Sequence, residues 1–219
     1  MQLNIIKEVV GPVMTNCYIA YTEAPGRCFI VDPGANAERI IKRLTKLELT
    51  PEAILLTHGH FDHICAVEKL RENYEGIKLI ACSEERQMLE IPELNLTDRF
   101  KAPLSLKNVV YYQDGESFEV IGISIKMIHT PGHTSGSCCY FIDGCDNKVL
   151  FSGDTLFAES FGRTDLPTGS DSEIVVSIAK KLMELPDETD VYPGHESATT
   201  IGHERKYNPS VFIYGRHYS

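Results

Sequence analysis

The stretch from Ile54 to Val67, ILLTHGHFDHICAV, constrains this chain more than any other. It opens as an apolar run with the composition of a buried strand, then sets three histidines and one aspartate within the six residues from His58 to His63. Polar groups carried into an interior must find partners, because an unpaired one is costly. One histidine after a strand is usually a capping or packing residue. Four polar side chains crowded beside a buried strand need a common partner, and a metal ion supplies one.

His58 and His60 stand two apart as the chain leaves its strand, so an extended backbone puts both imidazoles on one side. Asp62 and His63 are adjacent at the start of the next predicted helix and point elsewhere. One tetrahedral ion cannot easily take four ligands from so short a loop, whereas two ions can. The remaining ligands should lie at other strand ends, where loops converge. His133 follows the strand ISIKMI, Asp154 ends VLFSGDT, and His195 ends DVYPGHE. Each has a glycine immediately before it, which permits a tight turn and close backbone approach. The resulting partition gives His58, His60 and His133 to one metal and Asp62, His63 and His195 to the other, with Asp154 bridging. His129 alternates with Ile123, Ile125 and Met127, so it belongs to an apolar strand face as a satisfied histidine rather than a ligand. His203 follows the His195 loop closely enough to line a pocket.

The surrounding pattern is a succession of strands and helices. LNIIKEVV, NCYIAYTE and CFIVDPG read as strands, followed by a helix over NAERIIKRLTKLEL with Ile40, Ile41, Leu44 and Leu47 at helical spacing. EAILLTH and KLIAC are buried strands. A helix is predicted from about Asp62 through DHICAVEKLRENY, and Ser83 is placed as the N-cap of SEERQMLEI. Residues 92–107 read as a mobile helix or loop. NVVYYQ, SFEVIG, ISIKMIHT, SCCYFID and KVLFSGD are consecutive strands with turns at Asp114-Gly115 and Asp143-Gly144. A helix over GSDSEIVVSIAKKLMEL carries Ile174, Ile178 and Leu182 on one face, and DVYPGH is the last predicted strand. No linker or low-complexity segment interrupts the chain. The expectation is an α/β protein, one domain over residues 1–219, with two packed sheets and helices outside.

Composition narrows the function classes. The 219 residues carry a formal net charge of −10, which argues against a nucleic-acid or anionic-membrane partner. No apolar run approaches the roughly 18 residues that span a bilayer. The N-terminus lacks the layout of a signal peptide, so a cytoplasmic location is expected. Seven scattered cysteines, with no CxxC pair, read as buried free thiols in a reducing compartment. Cys138 and Cys139 are adjacent in a strand and should face opposite ways.

THGHFDH, TPGHTSGS, FSGDT and YPGHE, in this order and spacing, resemble the metallo-β-lactamase superfamily, and within it the glyoxalase II-like hydrolases. The resemblance covers nearly the whole chain, from NCYIAY and VDPG to NPS. It implies a four-layer αββα sandwich with the metal site at one edge of the sheets. The family's ligands fall on the residues already partitioned above: His58, His60, Asp62, His63, His133, Asp154 and His195. It further implies two divalent metal ions, zinc first with iron or manganese as alternatives, and hydroxide held between them attacking a carbonyl. Asp62 and Asp154 then act in catalysis. The substrate class is a small anionic thioester such as S-D-lactoylglutathione.

Departures from the pattern sharpen this reading. Gly59 stands where oxygen-reducing diiron members carry a glutamate ligand. Only 24 residues follow His195, too few for the helical region with which full-length glyoxalase II binds glutathione. Arg163, in SFGRTDLPTG, could bind a substrate carboxylate in its place or form a surface salt bridge. The alternative reading is an iron-dependent persulfide dioxygenase of the same fold, which would hold a single iron.

Overall fold

In the computed structural model, which describes residues 2–100 and 103–217, the strands form two six-stranded sheets. The first runs in spatial order β1 (Asn4–Val10), β2 (Thr15–Tyr21), β3 (Gly26–Val31), β4 (Leu49–Leu55), β5 (Lys78–Cys82) and β6 (Val109–Tyr112). The second contains β7 (Ser117–Val120), β8 (Ile123–His129), β9 (Cys138–Ile142) and β10 (Val149–Gly153). A two-stranded ribbon, β11 (Leu156–Phe157) with β12 (Ser160–Phe161), precedes β13 (Asp190–Pro193) and β14 (Thr199–Thr200), which complete the second sheet beside β10.

The helices cover the outer faces. On the first sheet lie α1 (Ala37–Lys46), α2 (Phe61–Ile64), α3 (Val67–Asn73), α4 (Arg86–Glu90) and α5 (Pro92–Asn95). On the second lie α6 (Asp171–Lys180), α7 (Ile201–Tyr207) and α8 (Pro209–His217). Three apolar layers result. Ile40 and Leu44 of α1 and Leu70 of α3 pack on Ile19, Ile30 and Ile54. Phe29, Leu55, Met127, Tyr140 and Phe151 fill the space between the sheets. Ile174, Ile178 and Leu182 pack on Cys139, Phe141 and Val191. This is the four-layer αββα sandwich. Because central strands are buried on both faces, their sequences are continuous apolar runs rather than alternations. Cys138 and Cys139 show it directly, one facing the other sheet and one facing the helices.

Several local expectations need correction. The helix predicted from Asp62 is two, α2 and α3, separated at Cys65 and Ala66. The Ala66 N–H bonds to the Pro33 carbonyl at 2.9 Å, tying the chain to the turn after β3 in place of continuing the first helix. Ser83 is not an N-cap: it is the first residue of a 3-10 turn, and its hydroxyl donates to Glu84. Residues 92–107 hold α5 and a 3-10 turn over Thr97–Arg99, with Lys101 and Ala102 outside the described residues. DVYPGH is followed by one more short strand, β14. All seven cysteines are free, but Cys65 is exposed and Cys145 half-buried. Among the described residues no helix is long and apolar enough to cross a membrane.

Candidate metal centre

The parallel strand pairs decide where the chemistry can sit. β3 pairs with β4 and β10 with β13, both in parallel, so four strands end at the same edge of the sandwich. Loops leaving the carboxyl ends of such strands are where open sheets build sites. Asp32 follows β3, the His58–His63 segment follows β4, Asp154 follows β10, and His195 follows β13. His133 arrives from the loop after β8. Gly194 shows how tight the convergence is, since a Cβ there would stand 2.2 Å from Asp154 Oδ1.

All seven expected ligands meet at this edge. His133 Nε2 lies 3.2 Å from His58 Nε2 and 2.9 Å from His60 Nδ1. Asp62 Oδ2 lies 3.4 Å from His63 Nε2 and 3.3 Å from His195 Nε2. Asp154 stands between the groups: its Oδ2 is 3.4 Å from His195 Nε2 and 3.6 Å from His133 Nε2, and its Oδ1 is 3.5 Å from His63 Nε2. The ligand atoms of His58, His60 and His133 lie within 4.8 Å of one another, as do those of Asp62, His63 and His195. His63 Nε2 and Asp154 Oδ1 are buried with no hydrogen-bond partner. Imidazole nitrogens turned toward one another, beside an unsatisfied carboxylate oxygen, form a donor set that fits divalent cations.

The electrostatics divide the cluster. Burial, followed by neighbouring imidazoles, holds His58 well below the ordinary histidine value, and burial pushes His60 down to about 3. Burial also acts on His195, but hydrogen bonds to Asp154 and Asp62 prevail and raise it to about 9. His63 is likewise raised, against burial, by Asp62, Asp154 and Asp32. Burial would raise the Asp62 and Asp154 carboxyls, yet His63 and His195 beside them hold both below the carboxylate range. His58 and His60 are therefore neutral, while the other group is a mesh of ions.

A second ring of contacts orients the ligands. His133 Nδ1–H donates to the Arg163 carbonyl at 2.7 Å, which leaves Nε2 with its lone pair facing the cluster. His63 Nδ1 stands 3.0 Å from Asp32 Oδ2. Asp32 in turn accepts from the Thr57 N–H at 2.8 Å and the Thr57 hydroxyl at 2.6 Å. Thr15 Oγ1 donates to Asp62 Oδ2 at 2.8 Å. Asn16 and Tyr18 both donate to the Pro193 carbonyl, at 2.9 and 2.6 Å, fixing the backbone that leads to His195. Sequence reasoning did not assign Asp32 a role. The available signal was its position: like Asp154, it is an acidic residue ending a buried strand before a turn.

Arg163 is placed differently from the ligands. Its guanidinium is exposed and makes a two-point ion pair with Asp165, 2.7 Å at each contact. It also lines a cavity of about 590 Å³ that opens from Asp154 and His195, together with Lys7, Val9, Val13, Met14 and Phe157. His129 is half-buried at the end of β8, and its ring nitrogen Nε2 meets the Ser135 carbonyl at 2.8 Å, away from the cluster. His203 does not line the cavity: it pairs with Glu159 at 2.9 Å and packs on Tyr207.

Known proteins resemble this chain in sequence and fold. The profile of the metallo-beta-lactamase superfamily matches residues 10–195. A hydroxyacylglutathione hydrolase, GloC of Haemophilus influenzae, is 37% identical over 214 residues, covering 95% of this chain and 97% of its own. Among solved structures, the BLEG-1 B3 metallo-beta-lactamase superposes with a TM-score of 0.87 at 39% identity, over 95% of this chain and 99% of that one. TTHA1623 in a di-iron-bound form superposes with a TM-score of 0.79 at 30% identity, over 93% and 98% of the two chains. A profile spanning most of the chain, with relatives at these identities along nearly its full length, makes the protein a member of the metallo-β-lactamase superfamily.

Proposed function

We propose that the protein is a dinuclear metal hydrolase that cleaves a small anionic thioester, taking zinc in preference to iron or manganese. The observation that carries the reading is the position of Asp154, one carboxylate within 3.6 Å of ligand nitrogens from both groups. His58, His60 and His133 would hold one ion, Asp62, His63 and His195 the other, and Asp154 would bridge. When bound, such ions lower the pKa of a water and polarise a carbonyl. The chain supplies the rest. Asp62, kept ionised by His63 and His195 and oriented by Thr15, is placed to accept a hydrogen bond from the attacking water. Asp154 fixes the spacing of the two halves. The cavity offers an apolar wall of Val9, Val13, Met14 and Phe157, with the cationic side chains of Lys7 and Arg163 beside it for a substrate carboxylate. The relative named as a hydroxyacylglutathione hydrolase supports a thioester as the substrate.

Hydrolysis takes its oxygen from water, so it runs without dioxygen and with a redox-inert ion. Zinc-only and iron-only protein should be prepared, then assayed for thiol release from an acyl thioester under nitrogen and for oxygen uptake with a persulfide. Thiol release by the zinc form under nitrogen is the expected result. Activity confined to the iron form, and only while oxygen is consumed, overturns the reading in favour of a dioxygenase.

A further inference from the structure

Behind the three-histidine group lies a carboxylate that the proposed chemistry does not use. Glu85 ends the 3-10 turn after β5 and is 1% exposed. Its Oε1 accepts from the Gly59 N–H at 2.7 Å, and its Oε2 accepts from Thr134 Oγ1 at 2.9 Å. Gly59 lies between His58 and His60, and Thr134 follows His133, so one carboxylate joins the two loops that carry the three imidazoles. The joint is close: a Cβ on Gly136 would stand 2.2 Å from Glu85 N, and one on Gly59 would stand 2.6 Å from Met88 Cγ. Thr134 is held in turn by Ser137, whose Oγ accepts from its N–H at 3.0 Å. Among the described residues no lysine, arginine or histidine is paired with Glu85, and burial pushes its carboxyl up to about 7. A buried acid without a cation is an unfavourable way to fill space. What it does here an apolar side chain could not: it accepts hydrogen bonds from both loops at once.

We propose that Glu85 is a positioning residue for the metal group of His58, His60 and His133, setting the distance between the loops that carry them. The proposal rests on the two-metal reading above. Zinc should be titrated into metal-stripped wild type, Glu85→Ala, Glu85→Gln and, as a buried-carboxylate control paired with Arg39 and Arg43, Glu8→Gln, with binding followed by calorimetry. Wild type is expected to show two classes of site. Glu85→Ala should weaken one class by about tenfold or more, the magnitude usual for a lost orienting contact. It should be the class that His60→Ala abolishes. Glu85→Gln keeps an oxygen for the Gly59 N–H and should stay within about threefold of wild type. Glu8→Gln should lower the melting temperature and leave both classes alone. Folded Glu85→Ala with both classes unchanged, or both weakened equally, overturns the proposal. Should Glu85→Ala not fold, Thr134→Val decides: weakening of the same class supports the proposal and unchanged binding overturns it. Wild type binding fewer than two ions instead overturns the two-metal reading, so the two failures are distinct.

Discussion

The two halves of the cluster use the same edge of the sandwich and similar distances, yet they are electrostatic opposites. His58, His60 and His133 are almost completely buried and face one another; burial leaves His60 near 3 and His58 lower than usual. Asp62, His63 and His195 put two imidazoles against carboxylates, and His195 keeps its proton to about 9. In the first half burial holds His58 and His60 neutral, so each has a ring nitrogen lone pair for a cation at neutral pH. The second is already neutralised internally, so a cation must displace protons to enter. Identical side chains thus differ in readiness because of the acids around them.

The largest expected effect comes from the residue the halves share. Asp154→Asn removes a negative charge that both would use, and an amide bridges cations poorly. We expect loss of metal from both halves and a fall in thioester turnover of roughly 10²–10³-fold or more. Metal content per chain and thiol release measure the two effects. Retention of both ions at full affinity would separate Asp154 from the cluster.

A shift of pH should pull the halves apart. His63 and His195 have raised pKa values, that of His195 to about 9, so both are protonated at neutral pH in the metal-free protein. Zinc affinity of their half should therefore rise with pH, about tenfold per unit for each proton displaced. The histidine half should depend less steeply on pH, since burial holds His58 and His60 neutral across that range, His60 down to about 3. Calorimetry in buffers of differing ionisation enthalpy reads the protons released. Equal proton release in both binding steps would erase the distinction.

Asp32→Asn tests the support behind one half alone. It replaces the carboxylate that stands against His63 Nδ1 and holds Thr57. Affinity of the carboxylate half should drop by about 10–100-fold, with the other half preserved. The smallest effect is expected at Arg163, whose exposed guanidinium is already engaged by Asp165. Arg163→Ala should lower kcat/KM for anionic thioesters by about three- to tenfold and leave neutral ones unchanged. Equal losses on both would confine Arg163 to its structural contacts.

The clustered histidines and aspartates are legible in the sequence because they break a strong pattern: apolar runs end abruptly in histidine or aspartate, four times over. The sandwich was legible for the same reason, since runs such as AILL and SCCYF have no solvent-facing register. Glu85 is not legible in this way, because neither acidic residue of SEER has a sequence neighbour that marks it as buried. The contacts that bury it come from Gly59 and Thr134, distant in sequence. The division of α2 from α3 was invisible because the Pro33 carbonyl that claims the Ala66 N–H belongs to another turn. Arg163 was read for its charge, whereas its carbonyl is what touches a ligand. Backbone roles leave no trace in residue identity.

The bonds from Asn16 and Tyr18 to Pro193 have a consequence for the order in which the molecule assembles. Four ligands lie before residue 64 and three after residue 132, and a strand of the first sheet pins the segment that bears the last of them. During synthesis the early histidines and Asp62 are complete as a sequence long before anything can close around them. The N-terminal half offers at most the His58–His63 segment, with neither His133 nor Asp154 to join it. Docking of the second sheet brings the late ligands in, and only then does a full donor set exist. On the two-metal reading, metal capture would then be a closing step of assembly, and the seam between the sheets is where metal-free protein should first come apart.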